Sequence, residues 1–198
     1  MLDTHGRKYV DPLIEGISKQ FNRFGFQPNH VTILAFLVGV SSGIGILFRL
    51  KALPIVLLWI SGLLDAVDGA LARKQKTTSP LGTLMDITFD RIVEITIIIA
   101  LAYRYPDLRF QLILLSSSII ISMTVFLTVG ALTDNKGKKS FYYQAGLMER
   151  TEGFIMFSLM IIFSKHIKAI TIIYSLLIIF TVYQRIKEAK KLFNMSSP

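Results

Sequence analysis

Apolar residues dominate six stretches of the chain, near residues 31–48, 52–73, 82–104, 110–133, 149–165 and 168–185, and short polar segments separate them. Crossing a hydrocarbon core of about 30 Å takes roughly 17 to 25 helical residues, so each stretch predicts a transmembrane helix. The fifth and sixth lie close enough in sequence to form a helical hairpin. Ahead of the first, the segment from Asp11 to Phe24 sets Leu13, Ile14, Ile17, Phe21 and Phe24 on one side of a helix, with Lys19 and Arg23 available to lipid headgroups. That pattern suits an amphipathic helix lying in the membrane interface, and equally a helix packed on the end of a bundle. The expected fold is therefore all-α and polytopic. It has an N-terminal segment over 1–30 with an amphipathic interfacial helix, six transmembrane helices over 31–185 and a C-terminal tail over 186–198. Within the first stretch Gly39 and Gly43 form a small-xxx-small pair that permits close helix packing.

Composition narrows the class. At 198 residues, 52% hydrophobic, with a mean hydropathy of +0.54, the chain reads as one membrane domain. The absence of cysteine excludes disulfides and thiolate metal sites. His5, His30 and His166 stand far apart at segment ends and form no zinc-type pair. A net charge of +9 would suit a nucleic-acid partner if it formed one stripe, but the basic residues are divided among the loops, so no nucleic acid is expected. Loops on the N-terminal side carry Arg7, Lys8, Lys19, Arg23, Arg73, Lys74, Lys76, Lys136, Lys138, Lys139, Arg150, Arg185, Lys187, Lys190 and Lys191. The opposite side has only Arg49, Lys51, Arg104, Arg109, Lys165 and Lys168. The positive-inside rule then puts both termini in the cytoplasm. The charged run from Met1 to Asn29 has no uninterrupted apolar core, so it is not expected to be a cleaved signal.

Against this background four aspartates stand out: Asp65 and Asp68 in the second stretch, Asp86 and Asp90 in the third, with Arg73 and Arg91 nearby. An aspartate at the centre of a membrane helix costs about 2.5 to 3.5 kcal/mol, so each calls for a compensating partner. Asp65, Asp68, Gly69 and Ala72 recur at helical spacing on one stripe, and Gly82, Asp86 and Asp90 do so on the next helix. The short loop from Lys74 to Leu81 makes the two helices antiparallel neighbours, and Gly69, Ala72 and Gly82 let their backbones approach. Four carboxylates are then expected to converge on one point. Hard oxygen ligands of this kind select magnesium, manganese or calcium, and four of them suffice for two ions, the usual clamp for phosphoryl chemistry. Asp65 and Asp68 precede Arg73 by five to eight residues, about 7 to 12 Å from the cytoplasmic helix end, where a lipid and a water-soluble group can both enter.

The run Asp65-x2-Asp68-Gly69-x2-Ala72-Arg73-x8-Gly82-x3-Asp86-x3-Asp90 resembles, without a mismatch, the signature of the CDP-alcohol phosphotransferase family. That resemblance implies transfer of a substituted phosphate group from a CDP-linked donor such as CDP-diacylglycerol to a small alcohol acceptor, with release of CMP. It implies two divalent cations, Mg2+ or Mn2+, on Asp65, Asp68, Asp86 and Asp90, with Asp90 also serving as general base. It further implies a CDP site formed by Asn29, Thr32, Asp68, Gly69, Ala72, Arg73 and Gly82. The run Pro28, Asn29 and Thr32 has a second reading, a proline and an N-cap opening a helix, and the two are compatible. A homodimer is implied as well.

Beyond the signature, Glu149, Arg150, Thr151 and Glu152, together with Arg185, look similar to elements that bind the acceptor phosphate in relatives using a phosphorylated acceptor, and Lys138 or Lys139 would join them. A lysine-rich loop facing the inner leaflet also serves topology and lipid contact. The Lys-Ser-Phe-Tyr-Tyr run at 139–143 departs from inositol-phosphate-type loops. The acceptor implied is a phosphorylated polyol such as glycerol 3-phosphate or inositol phosphate, with serine or amino-alcohol chemistry as the alternative. The competing function class is a transporter or ion channel using an intramembrane aspartate cluster, which predicts ion flux with no nucleotide requirement. A metal-binding relative without catalysis is a third.

Overall fold

The computed structural model describes residues 7–133 and 144–195. Lys138 and Lys139 lie outside the described residues. Helix α1 spans Arg7–Arg23, α2 Pro28–Leu47, α3 Ala52–Gln75 and α4 Pro80–Arg104. A 3-10 turn at Pro106–Leu108 leads to α5, Arg109–Leu132. Helix α6 is Arg150–Ile162, a second 3-10 turn occupies Ser164–His166, and α7 runs over Ile167–Met195. The chain divides into two compact units, one holding α1 to α4 and the other α5 to α7.

Every expected apolar stretch folds as a helix, but they are unequal. Among the described residues four helical segments are long and apolar enough to cross a membrane: Pro28–Leu47, Ala52–Gln75, Pro106–Leu132 and Ser164–Asn194. Helix α4 interrupts its apolar run with Asp86, Asp90, Arg91 and Glu94. Helix α6 has 13 residues, about 20 Å at the α-helical rise, because the chain leaves helical geometry at Phe163. At the other end, the tail expected from residue 186 continues α7 to Met195, since its Lys, Glu and Ala residues favour helix and no Gly or Pro interrupts them.

In the first unit α2 is the central helix, packed against both α3 and α4. Small side chains make this possible. A Cβ on Gly39 would fall 2.6 Å from Val93 and 2.7 Å from Ser61, and one on Gly43 would fall 2.5 Å from the Thr96 side chain and 3.1 Å from its backbone. Buried serines join the same helices: Ser42 donates to the Pro54 carbonyl at 2.8 Å and Ser61 to the Ala35 carbonyl at 2.7 Å. Phe36 of α2 stacks on Phe89 of α4 at 4.3 Å. Helix α1 rests on α3 through Ile14, which is buried with Val31, Val67 and Leu71, while Ile17 and Phe21 pack around them. Leu13 and Phe24 stay exposed, so the apolar side foreseen for this segment is only partly covered.

The second unit sets α7 against both α5 and α6. Phe157 meets Tyr174 edge to face at 5.5 Å. The segment from Gln144 to Glu149 is laced to α7: Gln144 donates to the Arg185 carbonyl at 3.1 Å, the Leu147 amide to Gln184 at 2.9 Å and the Met148 amide to Thr181 at 2.9 Å. Glu149 and Glu152 form a reciprocal capping box that starts α6.

Two glycines test this packing from opposite sides. Gly43→Val is expected to cost about 1 to 3 kcal/mol through overpacking against Thr96. Gly16→Ala, in a helix position where an added Cβ meets nothing within 4 Å, is expected to add about 0.5 to 1 kcal/mol. Thermal unfolding in detergent, followed by circular dichroism, should move down for the first and up for the second.

Candidate functional site

The acidic residues of the first unit owe their positions to two helix ends. Helix α4 starts sharply, with the Ser79 side chain accepting the Gly82 amide at 3.0 Å and Pro80 in the first turn. Helix α3 ends at Lys76, in left-handed geometry with φ of 55°, where its amide returns to the Ala72 and Arg73 carbonyls. Between them lies the short turn the sequence foresaw, but the glycines do not bring α3 and α4 together as expected. Among the described residues a Cβ on Gly69 would meet only Arg73 of its own helix and one on Gly82 only Ser79 and Asn29, because both helices pack on α2 instead.

One oxygen from each of Asp65, Asp86 and Asp90 lies within 4.8 Å of the others, and all three residues are half-buried. Three anionic oxygens this close repel one another strongly, and a hard divalent cation is the partner that such an all-carboxylate donor set fits. The cluster is therefore suited to magnesium or manganese.

Asp68, the fourth carboxylate of the motif, lies within electrostatic reach of Asp86 and Asp90 but is not among the three whose oxygens fall within 4.8 Å of one another. Three residues along a helix turn its side chain about 60° from Asp65. There it is buried at 6% exposure. The Thr32 side chain, the Gly69 backbone, Asp86 and Arg73 surround it, and its Oδ2 has no hydrogen-bond partner. Arg73 folds back over Gly69, since a Cβ there would meet its Nη1 at 3.4 Å. The signature's glycine and arginine thus sit together beside Asp68.

Asn29 and Thr32, expected at the nucleotide site, are brought to the same end of the unit. A Cβ on Gly82 would lie 3.8 Å from the Asn29 Oδ1. Pro28 does open α2, but Gln27 holds the N-cap position without a side-chain bond, so Asn29 is not the cap and its amide is not used for capping. Thr32 donates to the Pro28 carbonyl at 3.1 Å and its hydroxyl oxygen keeps acceptor capacity.

Arg150 and Arg185 belong to the second unit. Arg185 is 7% exposed, its Nη1 donates to the Ser122 carbonyl at 3.1 Å and hydroxyl at 2.9 Å, and its guanidinium lies over Phe126 at 4.9 Å. Arg150 lies over Phe154 at 5.5 Å. The segment from Gln144 to Glu149 adjoins both, ending at Arg150 and bonding to the backbone of Arg185.

One charged residue escaped the sequence reading. Glu94, 8% exposed, accepts an ion-pair hydrogen bond from the Arg91 Nη1. Its signal was present: Gly82, Asp86, Asp90 and Glu94 are each four residues apart, so the acidic stripe runs one turn beyond the signature.

The profile described as CDP-alcohol phosphatidyltransferase matches residues 26–184. The inner membrane protein YnjF of Escherichia coli (strain K12) is 30% identical over 203 aligned residues, covering 94% of each chain. An archaetidylinositol phosphate synthase of Pyrococcus horikoshii is 29% identical over 98% of this chain and all of its own length. Two crystal structures of Mycobacterium tuberculosis phosphatidylinositol phosphate synthase share the fold with a TM-score of 0.72. The one with CDP-DAG bound is 19% identical and matches 90% of this chain and 94% of its own; the one with manganese and citrate is 18% identical, at 89% and 88%.

Substituting Asn for Asp65, Asp86 or Asp90 removes one charge from the trio and is expected to weaken Mn2+ binding by at least about tenfold, because affinity at such sites follows ligand charge. Asp68→Asn should have the smaller effect. Titrating detergent-purified protein with Mn2+ and following free Mn2+ by paramagnetic resonance compares the four.

Proposed function

The chain belongs to the CDP-alcohol phosphatidyltransferase family, and from that premise we propose that it moves the phosphatidyl group of CDP-diacylglycerol onto a hydroxyl of a phosphorylated polyol, releasing CMP. The observation that carries this reading is the convergence of Asp65, Asp86 and Asp90. CDP-diacylglycerol is chosen because it is bound in the mycobacterial relative. An inositol phosphate is the first choice of acceptor, since the names of the Pyrococcus and Mycobacterium proteins specify inositol phosphate products; glycerol 3-phosphate is the second.

In this reading Asp65, Asp68, Asp86 and Asp90 hold two divalent cations, Mg2+ or Mn2+, which when bound offset the charge of the donor diphosphate and of departing CMP. Asp90 accepts the proton of the acceptor hydroxyl as that oxygen attacks the β-phosphorus. A new phosphorus–oxygen bond forms, the bond to the CMP phosphate breaks, and the proton stays on Asp90 until released. Gly69 and Ala72 leave room for the nucleotide against the α3 backbone, Arg73 adds positive charge beside the diphosphate, and Asn29, Thr32 and Gly82 complete the CDP pocket. Arg150 and Arg185, with Lys138 or Lys139, bind the acceptor phosphate. Helices α2 to α7 are taken as six spans, with α1 in the cytoplasmic interface, both termini and the active site on that side, and a homodimer as the assembly.

The test is CMP release by the purified protein with CDP-diacylglycerol, a divalent cation and a panel of inositol phosphate, glycerol 3-phosphate and serine. Release dependent on both cation and acceptor supports the reading; ion flux without nucleotide turnover would replace it with a transport function. Asp90→Asn is expected to lower kcat by roughly a hundred- to ten-thousandfold, and normal turnover would remove the base assignment. Arg150→Met should raise the KM for the phosphorylated acceptor roughly ten- to hundredfold, the effect of losing a charged hydrogen bond, and leave the KM for the lipid donor unchanged.

A further inference from the structure

The chemistry above leaves Glu94 without a task. It lies 14 residues into α4 from Pro80, about 21 Å along the helix, and is 8% exposed. In the topology proposed for α4 that is deep in the bilayer, where a carboxylate is costly and calls for a named partner. The partner is Arg91, three residues earlier, whose Nη1 donates to the Glu94 Oε2. Arg91 also acts electrostatically on both Asp86 and Asp90, and its buried Nε has no hydrogen-bond partner.

A guanidinium near Asp86 and Asp90 competes with a divalent cation for their oxygens, since a forked arginine–carboxylate pair is a strong interaction. The competition is set by where the guanidinium is held. Glu94 takes one of its nitrogens and cancels its charge, a turn deeper than Asp90. Two apolar side chains would pack at these positions with no desolvation cost, so packing gives no reason for the pair.

We propose that Glu94 is a positioning residue that holds Arg91 off Asp86 and Asp90, so that the Arg91–Glu94 pair sets how tightly the carboxylate trio binds a divalent cation. The inference rests on the reading of Asp65, Asp86 and Asp90 as cation ligands.

The experiment measures Mn2+ binding to the full, detergent-purified chain by paramagnetic resonance, with no lipid or nucleotide present. Glu94→Gln preserves shape and releases Arg91, and is expected to weaken Mn2+ binding roughly ten- to hundredfold, as loss of an outer-shell partner does. Glu94→Asp keeps the charge and should bind as the unsubstituted chain does. In the double variant Arg91→Gln/Glu94→Gln the competing cation is gone, and binding should return to the original strength or exceed it. A purely structural pair would change thermal stability in EDTA without this reversal. Unchanged affinity in Glu94→Gln, or a double variant as weak as the single one, overturns the proposal. If Glu94→Gln does not fold, the double variant decides alone: Mn2+ bound at least as tightly as by the unsubstituted chain supports the proposal, and weaker binding overturns it. Absence of Mn2+ binding by the unsubstituted chain overturns the ligand reading itself, and this inference with it.

Discussion

Negative charge held inside apolar helices is the constraint on which the first unit depends. Asp65, Asp68, Asp86, Asp90 and Glu94 all lie on two consecutive helices, each packed on α2, and none is more than half-exposed. In hydrocarbon surroundings each is costly without compensation. The compensation is distributed. Arg73 serves Asp68, Arg91 serves Glu94 while acting on Asp86 and Asp90, and the trio is left with more negative charge than these arginines can cancel. A divalent cation fits that remainder, and a family whose chemistry proceeds at a diphosphate has use for one there.

Bringing like charges together requires the backbones to be held against their repulsion, and α2 supplies much of that hold. Its glycines admit Val93 and Thr96 of α4 and Ser61 of α3 to distances a Cβ would forbid. Its serine and alanine backbone contacts add hydrogen bonds where water cannot compete for them. Arg104 closes the far end by donating to the Ile46 carbonyl at 3.1 Å, which also accepts the Arg49 amide at 3.1 Å in the turn that ends α2. The small-residue pair and the acidic stripes are therefore parts of one design: the first fixes the spacing on which the second relies.

The second unit solves a different problem with the same means. Gln144, Thr181, Gln184 and Arg185 are polar groups on or beside a largely apolar helix, and each is engaged by a neighbour: the 144–149 segment bonds to α7, and Arg185 bonds to Ser122 and stacks on Phe126. This lacing fixes the start of α6 and with it Arg150.

How much of this was legible in the chain depends on range. Helix placement followed from apolar runs and from local chemistry such as Ser79–Pro80, because capping and periodicity act within a few residues. The aspartate motif, read at spacings of three and four, announced the chemistry before any contact was known. Spacing could not say that Asp68 would be buried against Thr32, 36 positions earlier in the sequence. Nor could it say that Arg185 would be gripped by Ser122, or that an apolar stretch at 149–165 would yield a helix of 13 residues. Glu94 shows both ranges: its place on the stripe and its three-residue spacing from Arg91 were written in the sequence, whereas its burial came only with tertiary packing. Local order is encoded locally; which charges meet, and which stay apart, is settled by the distances that tertiary packing imposes, because electrostatic energy depends on those distances and on the removal of water between them.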